Sequence, residues 1–346
     1  MFLILTFFLP FLNALTHDWY VIGQTNQFLS NQPYKILIKD TPISIWKDDN
    51  NCFSAVSDIC PHRGASIARG RIDKKTECIV CPYHTFKYND KGRLSQVPGI
   101  NQNRLNQSFN LKTDIPHYEI THKKGWVYLR NTPLYEISPY HNVIDKSTIW
   151  IEPEAFDEQM KCVFLTKTFA TDGMSLTENS LDILHISEVH TFGNKKKPLP
   201  VQEKYERIDE GHMKVTYEYE TSPTSLAYKC FGEKKLIVEN EYILPHTTVA
   251  RVRFGKFMNT IVTSALPSSN SSSTLFVKAY RNNWVFHLKP LDFFFDKVTE
   301  SLMEKTLSED KRVLETIYFN HREGNFMTKY DELTKLYRQD YAEFII

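Results

Sequence analysis

The chain has 346 residues, about a quarter of them charged, and a formal net charge of +1. That balance gives no electrostatic reason to bind nucleic acid or an acidic surface, and the length suits a soluble globular chain with two cores.

Taken in order, residues 1–16 open with an apolar run, Met1 to Leu12, followed by Asn13-Ala14. It resembles a signal-peptide core but lacks a basic segment before it and is too short to span a bilayer. A plastid-type leader, loose membrane contact, or a packing segment all remain open for it. Residues 17–130 read as a run of short strands: His17 to Ile22, Tyr34 to Ile38, Ile43 to Trp46, Phe53 to Val56, Cys78 to Val80 and Trp126 to Leu129. Turn residues separate them and helical periodicity is nearly absent, which predicts a small β-domain.

Two loops in that domain carry the chemistry. Cys60-Pro61-His62 and Cys81-Pro82-Tyr83-His84 stand eighteen residues apart, with Asp73-Lys74-Lys75 as a polar hairpin turn between them. Two thiolates on one iron and two imidazoles on the other are what a Rieske [2Fe-2S] cluster requires. Cys and His pairs also build zinc sites, but here strand-like runs precede both pairs, whereas zinc fingers more often follow such a pair with a helix. Cys78 is assigned to the strand interior. Cys52, Cys162 and Cys230 stand singly, as buried or free thiols rather than a staple framework. Reduced thiols at a cluster imply a reducing compartment such as cytoplasm or plastid.

A Pro- and Asn-containing stretch marks a linker at 131–150, and residues 151–346 form a second domain. Its strands include Met213 to Tyr219 and Thr274 to Tyr280, with helices expected around 172–190 and 296–320, so the fold class is α+β: an antiparallel sheet covered by helices. Pro267 to Ser273 reads as a hairpin-like surface loop, Lys195 to Lys197 as a solvated basic loop, and Phe293-Phe294-Phe295 hints at an apolar pocket. Within the first helix, Asn179, Asp182 and His185 recur at spacing three, and His190 can come round if the helix distorts. Two His and one carboxylate with open positions form the facial triad of non-haem Fe(II) oxygenases.

From about His17 onward the chain resembles the oxygenase component of the Rieske non-haem iron oxygenases, including those acting on aromatic rings, tetrapyrroles and sterols. Cys60, His62, Cys81 and His84 match the cluster motif, and Asp182, His185 and His190 match Asp-x-x-His-x-x-x-x-His. The resemblance implies a catalytic domain of helix-grip fold and a third iron ligand on a late helix. Asp310 is the expected residue and Glu315 the second choice, against a reading of Glu309, Asp310 and Glu315 as solvent-facing charges. It implies that Asp182 links a cluster histidine of one subunit to an iron histidine of the next in a homotrimer, and that Asn179 is an amide near the iron. The sequence departs from the family where Thr85-Phe86 replaces the usual Gly-Trp.

The implied cofactors are the [2Fe-2S] cluster and mononuclear Fe(II), with O2 as co-substrate. No Gly-x-Gly-x-x-Gly follows a strand, so NAD(P)H enters only indirectly, through a separate reductase or ferredoxin. The implied substrate is a hydrophobic, cyclic small molecule that is hydroxylated, dealkylated or desaturated. Two other classes stay open at this level: a Rieske electron carrier or redox sensor without turnover, and a zinc-stabilised β module.

Overall fold

The computed structural model describes residues 19–100, 113–133, 149–190, 195–221, 232, 235–255, 257–282 and 289–344. The segment 1–16, most of the expected linker and Cys230 lie outside the described residues. Short strands fill the first part: β1 (Trp19–Gln24), β2 (Tyr34–Ile38), β3 (Thr41–Lys47), β4 (Phe53–Ser57), β5 (Arg71–Asp73), β6 (Cys78–Val80), β7 (Lys87–Tyr88), β8 (Leu94–Gln96), β9 (Ile120–Lys123) and β10 (Trp126–Arg130). They form three antiparallel sheets, ordered β1-β10-β9, β2-β3-β4 and β5-β6-β7-β8. Trp46, Val56, Ile67, Ile79 and Tyr88 pack with Cys60 and Cys81 in one small core, so the two cysteine loops sit on a rigid floor.

The second part is built on seven antiparallel strands: β11 (Met160–Phe169), β12 (Gln202–Asp209), β13 (His212–Glu220), β14 (Lys235–Ile243), β15 (Thr247–Phe254), β16 (Phe257–Ser269) and β17 (Ser272–Asn282), in the order β11-β17-β16-β15-β14-β13-β12. Among the described residues four α-helices join it: α1 (Gly173–Leu181), α2 (Ile186–Val189), α3 (Lys289–Leu314) and α4 (Glu332–Phe344). Helix α1 lies against β14 to β17, α3 against β11, and α4 against β13 and α1. One apolar cluster joins the two parts, bringing Tyr20, Trp126 and Val127 together with Val249, Val262 and Phe276.

The helix expected across 172–190 is broken. It starts cleanly, with Asp172 Oδ1 accepting from Ser175 N at 3.0 Å and Oδ2 from Ser175 Oγ at 2.6 Å. It stops at Leu181 because the Asp182 side chain takes the Leu184 N–H at 2.7 Å and leaves its own backbone extended. An aspartate that captures a nearby N–H offers the chain a turn in place of another helical bond.

Other expectations are corrected as well. The late helix runs Lys289–Leu314, shifted from 296–320, and α4 falls where no element was expected. Phe293 and Phe294 are 69% and 58% exposed on α3 and are not among the residues that line the cavity described below. The surface loop at 267–273 narrows to the turn between β16 and β17, with Ser273 buried and donating to Thr171 O at 2.9 Å.

Candidate metal centres and substrate cavity

The two cysteine loops have the same backbone design. Cys60 N donates to Ala65 O at 2.9 Å and Gly64 N to Cys60 O at 2.8 Å; Cys81 N donates to Phe86 O at 2.9 Å and Thr85 N to Cys81 O at 3.1 Å. Each loop closes through a residue of positive φ, Gly64 at 72° and Thr85 at 57°. Thr85 therefore adopts the left-handed conformation for which glycine is better suited. Phe86 stacks on the His62 ring at 4.7 Å and 7°, which is the use the fold makes of the aromatic retained there.

The two cysteines share one small core and the two histidine rings stand together. Both thiols are buried and unbridged, Cys60 lies 3.5 Å from Tyr88 Oη, and the His62 and His84 rings stand 4.5 Å apart, His62 exposed and His84 half-buried. Thiols toward the interior and imidazoles toward solvent fit the two sides of a [2Fe-2S] group. Cys78 is spoken for elsewhere, its Sγ 3.3 Å from both Thr76 O and Ser95 Oγ. Buried Asp58 ties the first loop down, accepting from Ser44 Oγ, Ser66 Oγ and Ala68 N at 2.6, 2.6 and 2.7 Å.

In the second part, donor atoms of His185, His190 and Asp310 lie within 4.8 Å of one another. The break between α1 and α2 turns both imidazoles toward one point, with their Nε2 atoms 3.2 Å apart. Asp310 arrives from α3, on the inward stripe that also holds Met303, Leu307 and Leu314. Its Oδ1 is buried without a hydrogen bond, 3.6 Å from His185 Nε2 and 3.3 Å from His190 Nε2.

A carboxylate stands on the far side of each ring. His190 Nδ1 lies 3.2 Å from Glu309 Oε2, and because a carboxylate only accepts, the ring donates. His185 Nδ1 lies 3.3 Å from Asp182 Oδ2, off the line of a good hydrogen bond. On His190 the proton held outward leaves the Nε2 lone pair facing His185 Nε2 and a carboxylate oxygen, and such a donor set fits a divalent cation. Burial pushes the Asp310 carboxyl's pKa up against the pull of both rings, and the Asn179 amide is hydrogen-bonded to it. Burial also acts to raise Asp182, but the His185 ring and the Leu184 N–H outweigh it and hold it below the usual range.

Glu309 went unassigned from the sequence. Its role rests on a contact across 119 positions, and only its place beside a carboxylate on an apolar stripe could have drawn notice. Glu315 is elsewhere, accepting from Ala170 N at 2.8 Å. The cluster of His185, His190 and Asp310 opens onto a cavity of about 330 Å³ between α1, α3 and the face of β14 to β17. Its walls are mostly aliphatic, with Asn240, Thr248 and Thr263 as polar points on the sheet side.

Residues 18–119 match the Rieske [2Fe-2S] domain, and residues 169–345 match the vanillate O-demethylase oxygenase C-terminal domain. The chain belongs to the Rieske non-haem iron oxygenase family. A Rieske oxygenase chain of this family takes a [2Fe-2S] cluster and a mononuclear iron, and the two donor sets above fit them. Among curated relatives, aminopyrrolnitrin oxygenase PrnD of Pseudomonas fluorescens is 28% identical over 180 residues, 51% of this chain and 47% of that protein. Protein TIC 55, chloroplastic, of Pisum sativum is 29% identical over 123 residues, 34% of this chain and 21% of that protein. The matched stretches thus span less than half of these relatives. The solved structure of dicamba monooxygenase bound to dicamba superposes with a TM-score of 0.75 at 17% identity, covering 95% of this chain and 97% of that one, a likeness of fold.

Proposed function

We propose that this chain is an oxygenase component that uses O2 and externally supplied electrons to oxidise a hydrophobic, cyclic small molecule in the 330 Å³ cavity. The observation that carries the reading is the opening of the His185, His190 and Asp310 donor set onto that cavity. A Rieske cluster supplies single electrons and a mononuclear iron held by two His and a carboxylate supplies O2 chemistry with coordination positions left open.

The chain's own residues do the rest. Cys60, His62, Cys81 and His84 are the cluster ligands in this reading, and the exposed His62 edge is where a reductase or ferredoxin docks. Glu309 fixes the ring orientation of His190, and Asp182 sets a negative charge beside His185. Asn179 steadies the Asp310 carboxylate, and the aliphatic walls exclude water and set which substrate carbon faces the donor set. Which of hydroxylation, dealkylation or desaturation follows depends on that placement. PrnD's name and the dicamba complex support a ring-shaped substrate.

Asp182 keeps a side chain 36% exposed while contacting His185, which suits the bridging role toward a neighbouring subunit's cluster histidine in a trimer. The domain division proposed with this reading is 17–130, linker 131–150 and 151–346. Among the described residues no helix is long and apolar enough to cross a membrane. TIC 55 and its chloroplast label leave a plastid as one home for the chain.

The test is metal stoichiometry after anaerobic purification. Roughly three irons and two acid-labile sulfides per chain, with a Rieske signal after dithionite, are expected for the wild type. Asp310→Ala should lose the third iron and oxygen-dependent turnover while keeping the signal. Retention of that iron would remove Asp310 from the site; zinc without any Rieske signal would overturn the reading.

A further inference from the structure

Asn240 is a polar residue on the sheet wall of the cavity, among mostly apolar neighbours. On β14 it shares a face with the cavity-lining Leu236 and Val238, and across the ladder it opposes Ala250. It is 3% exposed, and its amide oxygen is buried with no hydrogen-bond partner. Native interiors rarely leave such an acceptor unmet, and each exception asks for an explanation. Nearby, Thr248 and Thr263 are opposed on β15 and β16 with their hydroxyls 2.6 Å apart. One of these donates to the other, so the second proton is left for a further acceptor.

We infer that Asn240 is a specificity residue, and that the cavity takes a largely apolar ring compound carrying an N–H or O–H donor, which the Asn240 oxygen accepts. The inference rests on the substrate reading above and narrows it. A site built to hydrogen-bond a donor rejects the analogue that lacks it far more strongly than an apolar wall rejects an extra methyl, because the buried acceptor is then left unpaired. The hydroxyl pair of Thr248 and Thr263 offers the complementary donor on the same wall.

The experiment uses the full chain and matched ring pairs that differ only in the donor: indole against 1-methylindole, and phenol against anisole. Dissociation constants are measured by titration calorimetry for the wild type and for Asn240→Leu, alongside thermal unfolding of both. The wild type should bind the donor member of each pair about tenfold more tightly. In Asn240→Leu that ratio should fall to about one, with no loss of Tm, since the replaced group makes no hydrogen bond through its oxygen. Equal binding of both members by the wild type would overturn the inference without needing the variant, and would leave the apolar-substrate reading intact. A donor preference that survives in Asn240→Leu would overturn the assignment to Asn240. Failure of all four rings to bind would overturn the substrate reading together with it.

Discussion

Gly64 and Thr85 hold equivalent places in the two cysteine loops, yet only one of them is a glycine. The left-handed region costs an L-residue roughly 1–2 kcal/mol, and glycine gives back about 0.5–1 kcal/mol through the greater freedom of its unfolded chain. A methyl at Gly64 meets no atom within 4 Å, so Gly64→Ala isolates the conformational cost and should lower stability by about 1 kcal/mol. Thr85→Gly should be neutral or stabilising by up to about 1 kcal/mol. Chemical denaturation of both variants checks the pair, and a destabilised Thr85→Gly would mean that the threonine side chain holds the loop. At the second centre, Glu309→Gln keeps the volume beside His190 and removes the charge that orients its ring. Loss of such a partner typically weakens metal binding by about 10- to 100-fold. Iron retention against a chelator should therefore fall in Glu309→Gln while the Rieske signal and Tm stay; unchanged retention would show that Glu309 has no part in holding the metal.

At the scale of elements, His246 pins three pieces of chain together at the turn between β14 and β15. Its Nδ1 lies 3.1 Å from Thr177 Oγ1 of α1 and 2.8 Å from Tyr337 Oη of α4, and its Nε2 lies 3.4 Å from Tyr341 Oη. Burial and then the Lys39 charge lower its pKa to about 3. Such a histidine is neutral in the fold and must be charged on unfolding in acid, so its contribution is complete above its ordinary pKa near 6.5 and is lost as pH falls from there toward 3. The slope approaches about 1.4 kcal/mol per pH unit in that window. Stability measured between pH 6.5 and 4 should fall less steeply in His246→Gln than in the wild type; parallel curves would assign the acid loss to other groups. This junction also shows which parts of the fold the sequence could and could not disclose. Strands such as Tyr34–Ile38 and Trp126–Arg130 were legible because alternation and β-branched content are local properties. The cysteine loops and the His185–His190 segment were legible because ligand chemistry leaves short spacings. The break at Asp182 was not, since it turns on whether one side chain takes the Leu184 N–H. Helix α4 has only half a local signal, and its burial of Leu333 and Tyr337 depends on β13 and His246 being in place.

For the whole molecule, the question is how the cluster-loop half is held to the large sheet. Lys278 of β17 is fully buried, its Nζ 2.7 Å from Glu152 Oε1 and 4.1 Å from the centre of the Trp126 ring on β10. Tyr280 Oη donates to the same carboxylate oxygen at 2.5 Å. Beside it, Arg251 reaches both Glu154 and Glu241, and Thr260 donates to Glu154 at 2.9 Å. Glu152 and Glu154 flank Pro153 at the start of a short turn of helix, Pro153–Phe156, so the chain entering the second part is anchored by charges sunk into the sheet. Burial pulls the Lys278 pKa down and Glu152 holds against it, so the ammonium depends on that partner. Removing one member of a buried pair leaves the other charge unmet and typically costs about 3–5 kcal/mol, whereas replacing both with apolar or neutral groups of similar volume is often nearly neutral. Glu152→Ala should therefore destabilise by about that amount, and Glu152→Gln with Lys278→Met should recover most of it. Because Trp126 also packs in the apolar cluster shared by both parts, the loss should be global: far-UV circular dichroism and the visible signal of the cluster should disappear at one denaturant midpoint in wild type and variants alike. Two separate midpoints in the wild type would show that the halves fold independently and that the buried pair only decorates their boundary.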